Sequence, residues 1–420
     1  MAMERNEILV YAHWDGIEPP FLMGVLYATP SRGKEIFSFE YDKGWLQSDY
    51  AQIIDPDLQL FEGAQYLNDE KSNFDIFLDS SPDRWGRVLM MRKEAAIARK
   101  ENRRTKTLTE SVYLLGVYDG NRMGGLRFKT EPDGAFLDDD EAMAAPPFAA
   151  LRDLEHASLQ LEKVNAPDDP EYLKWLNMLM APGSSLGGAR PKANVQDVDG
   201  GLWIAKFPSQ NDQQDMGAWE MLAYRLAVQS GIDMAPSRIQ KFSHHQHTFL
   251  TKRFDRKTGG RRIHFASAMT LLGYTDGTDY HDGVSYLELL EFIMQNGADV
   301  DNDLKKLWSR IVFNVCISNT DDHLRNHGFL LTDSGWILSP AYDINPTPNG
   351  TGLKLNISEN DNALDLDLVK EVAPYFRLKE KEVNVIIHTI QQNVAQWEQI
   401  ARDLGISRNE REWMEIAFKY

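Results

Sequence analysis

The stretch Asn319-Thr320-Asp321-Asp322-His323-Leu324-Arg325-Asn326-His327 decides how this chain is read. Asp321 is followed five positions later by Asn326. A carboxylate can take a proton from a hydroxyl, and an amide oxygen suits a hard cation such as magnesium. Two other readings compete. His323 and His327 stand at i and i+4, the spacing of zinc ligands on a helix. No glutamate follows the first histidine, however, and Asp-Asp-His favours a loop. The third reading is a polar loop with capping aspartates and no chemistry.

Downstream, Trp336-Ile337-Leu338 reads as a short strand, followed by Ser339-Pro340-Ala341-Tyr342-Asp343-Ile344. Upstream, the apolar strand-like run 201–208 carries Lys206. A lysine buried there is expensive unless it is paired. The helical run 219–227 turns Trp219, Leu222, Ala223 and Leu226 toward a core and leaves Glu220 at its flank. Further upstream lies Gly183-Ser184-Ser185-Leu186-Gly187-Gly188-Ala189-Arg190-Pro191-Lys192. Its small residues let backbone N–H groups approach and wrap an anion. It is not a Walker A loop, because Ala189 stands where the lysine must be, and it is not a G-x-G-x-x-G fingerprint. Taken singly, these are a turn, a surface lysine and a solvated glutamate. Taken in order, they match the parts that protein kinases use for phosphoryl transfer. Those parts are a phosphate loop, a strand lysine with a helix glutamate, an Asp-x-x-x-x-Asn loop and a metal-binding aspartate.

The chain has 420 residues, 42% hydrophobic and 26% charged. At roughly 150 residues per domain that length predicts two or three domains, and the composition is that of a globular protein. The net charge of −18 repels nucleic-acid phosphate over most of the surface. Cys316, the single cysteine, lies in an apolar run and reads as a buried inert thiol. The N-terminus has no signal-peptide core, and no apolar run approaches the roughly 18 residues of a membrane helix. The expectation is a soluble cytoplasmic protein that engages no membrane. Runs 8–12, 21–27 and 37–41 read as strands, and 83–100 reads as a helix. Residues 131–148, with Pro132, Gly134, Asp138-Asp139-Asp140-Glu141 and Pro146-Pro147, are the linker candidate.

The local words differ from those of eukaryotic kinases. Asn319-Thr320-Asp321 replaces His-Arg-Asp, Tyr342-Asp343-Ile344 replaces Asp-Phe-Gly, and no Ala-Pro-Glu follows. They resemble the HipA-type serine/threonine kinases, toxin partners of type II toxin–antitoxin pairs in bacteria. The likeness extends to Phe37-Ser38-Phe39, Ser81-Pro82-Asp83-Arg84-Trp85-Gly86-Arg87, the run 120–128 and the hinge-like Lys252-Arg253-Phe254-Asp255-Arg256.

The resemblance implies a two-lobed, protein-kinase-like fold of the α/β plus α class. It has an N-terminal α/β subdomain (1–130), a linker (131–148), a nucleotide-binding part of the N-lobe (149–256) and a mostly helical C-lobe (257–420). It implies ATP and Mg2+ as cofactors. Gly187, Gly188, Ala189, Arg190, Pro191 and Lys192 would form the nucleotide loop, and Lys206 would hold the phosphates. Main-chain groups of Lys252 and Phe254 would receive the adenine, with Tyr342 in the same cleft. Asp321 would be the general base, with His323 and Asn326 beside it, and Asn326 and Asp343 would hold magnesium. Ser185, next to Ser184, matches the serine whose autophosphorylation silences such kinases. The implied partners are a HipB-like helix-turn-helix antitoxin, DNA only through that antitoxin, and a protein substrate. Well-characterised relatives phosphorylate an aminoacyl-tRNA synthetase. Two alternatives use the same residues differently: a small-molecule kinase, and a non-catalytic co-repressor that grips the antitoxin. The intact set Lys206, Asp321, Asn326 and Asp343 argues against the second.

Overall fold

A computed structural model describes residues 5–31, 33–67, 71–180, 188, 190–242 and 245–420. The chain falls into two compact units, residues 1–210 with 255–266, and residues 211–254 with 267–420.

The first unit is built on an antiparallel sheet of strands β1 (Asn6–Ala12), β2 (Phe21–Ser31), β3 (Lys34–Tyr41), β4 (Ala64–Tyr66) and β5 (Leu126–Lys129), in the order β4-β3-β2-β1-β5. The three expected strands lie in β1, β2 and β3. Phe37, Phe39 and Tyr41 alternate along β3 as period-2 geometry requires, and all three are buried. Gly24 of β2 is needed where the strands meet, since a Cβ there would stand 2.3 Å from the Glu40 carbonyl oxygen. Helices α1 (Lys43–Leu46), α2 (Asp75–Asp79), α3 (Arg84–Lys100) and α4 (Glu110–Leu115) follow, then α5 (Leu151–Leu161) and α6 (Tyr172–Met180). Asp83 caps α3 by accepting the Gly86 N–H at 2.8 Å, which satisfies one of the orphan donors of the first turn. Strands β6 (Lys192–Gln196) and β7 (Leu202–Lys206) form an antiparallel hairpin.

Residues 131–148, expected as a linker, are instead strapped into this unit. Leu137 donates to the Phe128 carbonyl (2.9 Å), Asp119 to that of Asp138 (2.7 Å) and Gln196 to that of Pro146 (2.8 Å). Breaker-rich sequence marks irregular backbone, and irregular backbone packs when its polar groups find partners.

The second unit holds α7 (Met216–Gln229), a hairpin of β8 (Ser237–Gln240) and β9 (Thr248–Lys252), and α8 (Ala268–Leu271). A short strand, β10 (Phe265–Ser267), lies where the chain passes into it. There follow α9 (Tyr286–Asn296), α10 (Val300–Cys316), the hairpin of β11 (Gly328–Thr332) and β12 (Gly335–Leu338), and helices α11 (Leu366–Val372), α12 (Glu380–Val394), α13 (Trp397–Asp403) and α14 (Arg408–Met414). Helix α10 is the core, with Leu304, Leu307, Trp308, Ile311, Val312, Phe313 and Cys316 all fully buried. Burial pushes the Cys316 thiol up to about 12, in keeping with an inert group.

Residues 211–254 were expected with the nucleotide-binding part, yet they group with the helical residues. Packing explains it, because Trp219 of α7 lies against Trp397 and Phe418. The rings of Trp397 and Phe418 stack at 4.3 Å and 4°. Trp397→Ala should therefore destabilise the protein by about 3–5 kcal/mol, read from the denaturant midpoint. A loss no larger than that of an exposed substitution would show that the stack is not part of the core.

Candidate functional site

In the first unit, the β6–β7 hairpin sets Lys192 and Lys206 opposite each other in register. The hairpin closes with the Phe207 N–H donating to the Pro191 carbonyl at 2.9 Å. The two lysines differ in surroundings. Lys192 is buried, with its Nζ 3.0 Å from Asp83 Oδ2, and it donates to the Gly188 carbonyl at 3.2 Å. Lys192 thus ties the start of the hairpin to the cap of α3, a role its sequence setting did not suggest. Lys206, at the end of β7, is half-buried, as is Arg190. Ser184, Ser185, Gly187 and Ala189 lie outside the described residues.

In the second unit, the 319–327 loop sorts its two neighbouring aspartates by side. Asp321 is exposed and Asp322 is buried. Asp322 Oδ2 accepts from Tyr286 Oη (2.5 Å), Asn314 Nδ2 (2.9 Å) and His327 Nε2 (2.8 Å). Burial alone would raise the Asp322 carboxyl. The charge of His327 and the hydrogen bonds of His327 and Tyr286 outweigh it and hold the carboxyl below the usual range. The same setting pushes the Tyr286 hydroxyl well up, burial first and the Asp322 charge second. His323 begins a 3-10 turn, Leu324–Asn326, so His323 and His327 do not share a helix face. That removes the geometry a helical zinc pair needs.

Asn326 is buried, and its Nδ2 donates to the Asp321 carbonyl at 3.0 Å. Its Oδ1 is buried with no hydrogen-bond partner among the described residues. A buried acceptor without a donor costs free energy, and a hard cation would satisfy it. Asp343 adopts φ +56° in the segment after β12. Three bonds fasten this segment to the loop: Tyr342 Oη to the Arg325 carbonyl (2.8 Å), the Asn345 N–H to Asn319 Oδ1 (3.3 Å) and the Thr347 N–H to the Ser318 carbonyl (3.1 Å). Arg310, buried in α10, donates to the Ser339 carbonyl. The unsatisfied Asn326 Oδ1 is thus the atom of this loop that fits a hard cation. No cluster of three or more His, Cys, Asp or Glu forms a metal site among the described residues.

Phe254 and Tyr342 bring their rings to 5.6 Å at a tilt of 36°, so two aromatic faces lie side by side. The Lys252 N–H donates to the Pro236 carbonyl at 2.8 Å, so that main-chain donor is already used and cannot serve an adenine. Glu220 of α7 is buried and not merely at a flank. The sequence reading also passed over Asp322, Asn314, Tyr286 and Asp83. The doubled aspartate was the available signal, since one position of such a pair turns inward wherever a loop lies against a core. Among the described residues no helix is long and apolar enough to cross a membrane.

The HipA-like C-terminal domain family matches residues 184–398, about half of the chain, and the chain belongs to that family. A kinase candidate of Sinorhizobium fredii, Y4mE, is 28% identical over 182 residues, which are 38% of this chain and 41% of the relative. The serine/threonine-protein kinase toxin HipA of Shewanella oneidensis is 25% identical over 273 residues, 58% of this chain and 60% of that protein. These alignments thus span 41 to 60% of the curated relatives' length. The solved Shewanella oneidensis MR-1 complex of HipA, HipB and operator DNA contains a chain with the same fold. Its TM-score is 0.65 at 18% identity, over 98% of this chain and 94% of that one. The kinase-like α/β fold expected from the sequence is the one observed.

Asp322→Ala would leave three buried donors without their acceptor. Unfolding experiments should show a loss on the order of 3–5 kcal/mol at neutral pH. Because the folded Asp322 carboxyl is held low, its contribution is present above the ordinary carboxylate value of about 4 and lost as pH falls through the lowered one. The gap between wild type and variant should therefore narrow in acid. A gap that stays constant, or widens, would contradict the charge assignment.

Proposed function

We propose that this chain transfers the γ-phosphoryl group of ATP to a serine or threonine of a protein, as a HipA-type kinase. One observation carries the reading. In a chain of this family, the 319–327 loop turns Asp321 to solvent, anchors Asp322 beneath it, and leaves Asn326 Oδ1 buried without a donor. Asp321 is the base that orients the attacking hydroxyl and takes its proton. Asp322 is buried away from an incoming substrate and its Oδ2 already accepts three hydrogen bonds, so it is not assigned this role. Magnesium on ATP would neutralise the phosphates, with Asn326 and Asp343 as its protein ligands. Lys206 holds the phosphates from β7, and the Phe254–Tyr342 ring pair takes the adenine.

The same reading extends to partners and control. The structure of the Shewanella protein contains HipB and operator DNA, and we assign this chain a HipB-like helix-turn-helix antitoxin that reaches DNA on its behalf. The substrate is a host protein, of which an aminoacyl-tRNA synthetase is the leading candidate by family. Ser185 is the site of self-inactivating phosphorylation, in the cytoplasm where ATP and the substrate are found.

Asp321→Asn is nearly isosteric and should lower phosphotransfer on the order of 10²- to 10⁴-fold while leaving ATP binding and the melting temperature almost unchanged. Transfer from labelled ATP at the wild-type rate would remove Asp321 from this role. Phosphorylation at Ser185 would add roughly −1.5 to −2 charges beside the nucleotide phosphates. After incubation with Mg-ATP, phosphosite mapping should find Ser185 modified, and the modified protein should no longer bind ATP in calorimetry. Full ATP affinity at complete Ser185 phosphorylation would exclude the switch.

A further inference from the structure

Away from the loops just described, the first unit carries a charge pattern at odds with the whole chain. In a protein of net charge −18, residues 92–106 contain seven Lys and Arg against two Glu. Both glutamates are already paired, since Arg103 bonds Glu94 at 2.6 Å and Glu101 at 2.6 Å. Six cations of the segment remain, among them the exposed Arg99, Lys100, Arg104 and Lys106.

Part of this segment forms one wall of a half-open groove of about 640 Å³, whose other wall is the turn between α5 and α6. Four cations line it: Arg92, Arg99, Lys100 and Lys163. Two of them are positioned in advance by main chain, because Arg92 donates to the Leu161 carbonyl (2.9 Å) and Arg99 to the Pro167 carbonyl (3.0 Å). Lys100 and Lys163 have no ion-pair partner among the described residues. Against these four cations the lining sets two acids, both already accepting hydrogen bonds. Glu162 accepts from Ser209 Oγ (2.8 Å) and the Gln210 N–H (2.6 Å), and Asp169 accepts the Glu171 N–H (2.8 Å). Asp168 reaches Arg99 only at 3.2 Å between exposed groups, a contact that salt screens.

The groove is not merely cationic. Ala95, Ala96 and Leu173 contribute carbon to its lining, and Val164 at its edge is fully exposed, at 102% of its reference area. A nucleic-acid backbone would use the cations and leave this carbon wet. A peptide with both acidic and apolar side chains would use both, its carboxylates on the rim and its apolar groups on Ala96 and Val164.

We infer that the groove between α3 and the α5–α6 turn is a docking site for an acidic, apolar-bearing peptide segment of another protein. The inference is independent of the kinase reading. Charge complementarity brings the segment in, and the apolar contacts hold it.

The test uses the full chain and fluorescence anisotropy with three labelled probes: a short peptide alternating glutamate with leucine and phenylalanine, a polyglutamate of equal charge, and a DNA duplex. The alternating peptide should bind saturably, and polyglutamate and duplex at least about tenfold more weakly. The double variant Arg99→Glu/Lys100→Glu should weaken the peptide about tenfold or more, and so should Val164→Asp. All three positions are exposed, so the fold should persist, as melting curves would verify. Lys163→Glu provides a second charge reversal on the opposite wall. Equal binding of all three probes would reduce the groove to a polyanion patch and overturn the inference. Peptide binding that ignores these substitutions would do the same. Self-association of the wild type that is abolished by Lys100→Glu would make a second copy of this acidic chain the occupant, and would also overturn it.

Discussion

Asp322 is a charge at the bottom of a core, and the candidate site is arranged around keeping it there. Its Oδ2 gathers a phenol from α9, an amide from α10 and an imidazole from the far end of its own loop. A buried carboxylate without such partners would be neutral or would not be buried at all. With them it fixes both ends of the loop at once. The residue before it then has only the solvent side to occupy, so the exposure of Asp321 follows from the burial of Asp322. The general base of the proposed reaction is placed by its neighbour's hydrogen bonds, with no tether on its own carboxylate among the described residues.

The same economy recurs in the first unit with the opposite sign. Arg122 is fully buried. It donates to four main-chain carbonyls, those of Ser80 (2.8 Å), Leu114 (2.7 Å), Val117 (2.9 Å) and Leu137 (2.9 Å). Burial lowers its pKa to about 10, so it remains charged at neutral pH. The planar fork of a guanidinium suits several acceptors at fixed angles better than a lysine would. Arg122 thereby draws together the C-terminal end of α2, the last turn of α4 and Leu137 of the stretch that looked like a linker. Asp83 and Lys192 do the equivalent between a helix cap and a hairpin. Irregular segments in this protein are held by single buried charges where strands and helices would be held by repeats.

This explains what was legible in the sequence. Period-2 alternation predicted β3, short apolar runs predicted β1 and β2, and helical spacing predicted α3 and α7, because those patterns report which residues are buried. The Asp321–Asn326 spacing and the aspartate after a short strand could be proposed from sequence because each pattern lies within a few residues. Partners drawn from distant segments were not readable. Nothing local distinguishes Asp322 from Asp321, and only the fold reveals that Tyr286 and Asn314 are waiting beneath one of them. The family resemblance placed Lys192 in the nucleotide loop, yet Asp83 reaches it from another part of the first unit. The linker reading failed for a related reason. Proline, glycine and acidic residues predict irregular backbone, but they do not say whether its carbonyls and N–H groups will find partners.

The segment after β12 carries the remaining constraint. Ser318 and Asp343 both have positive φ, +50° and +56°, a conformation that costs a non-glycine residue on the order of 1–3 kcal/mol. Aspartate tolerates it better than most residues do. The cost persists only where surrounding contacts over-determine the backbone. Here the Tyr342 hydroxyl, the Asn345 and Thr347 amides and the Arg310 guanidinium all bond within this neighbourhood. At about 0.5–1.5 kcal/mol each, they are enough to offset the strain. They also join the segment bearing Asp343 to the loop bearing Asn326, so the two move as one piece. In the proposed reaction, ligands fixed in advance would cost a hard cation little reorganisation, and Asn326 Oδ1, buried without a donor among the described residues, is the acceptor such an ion would satisfy.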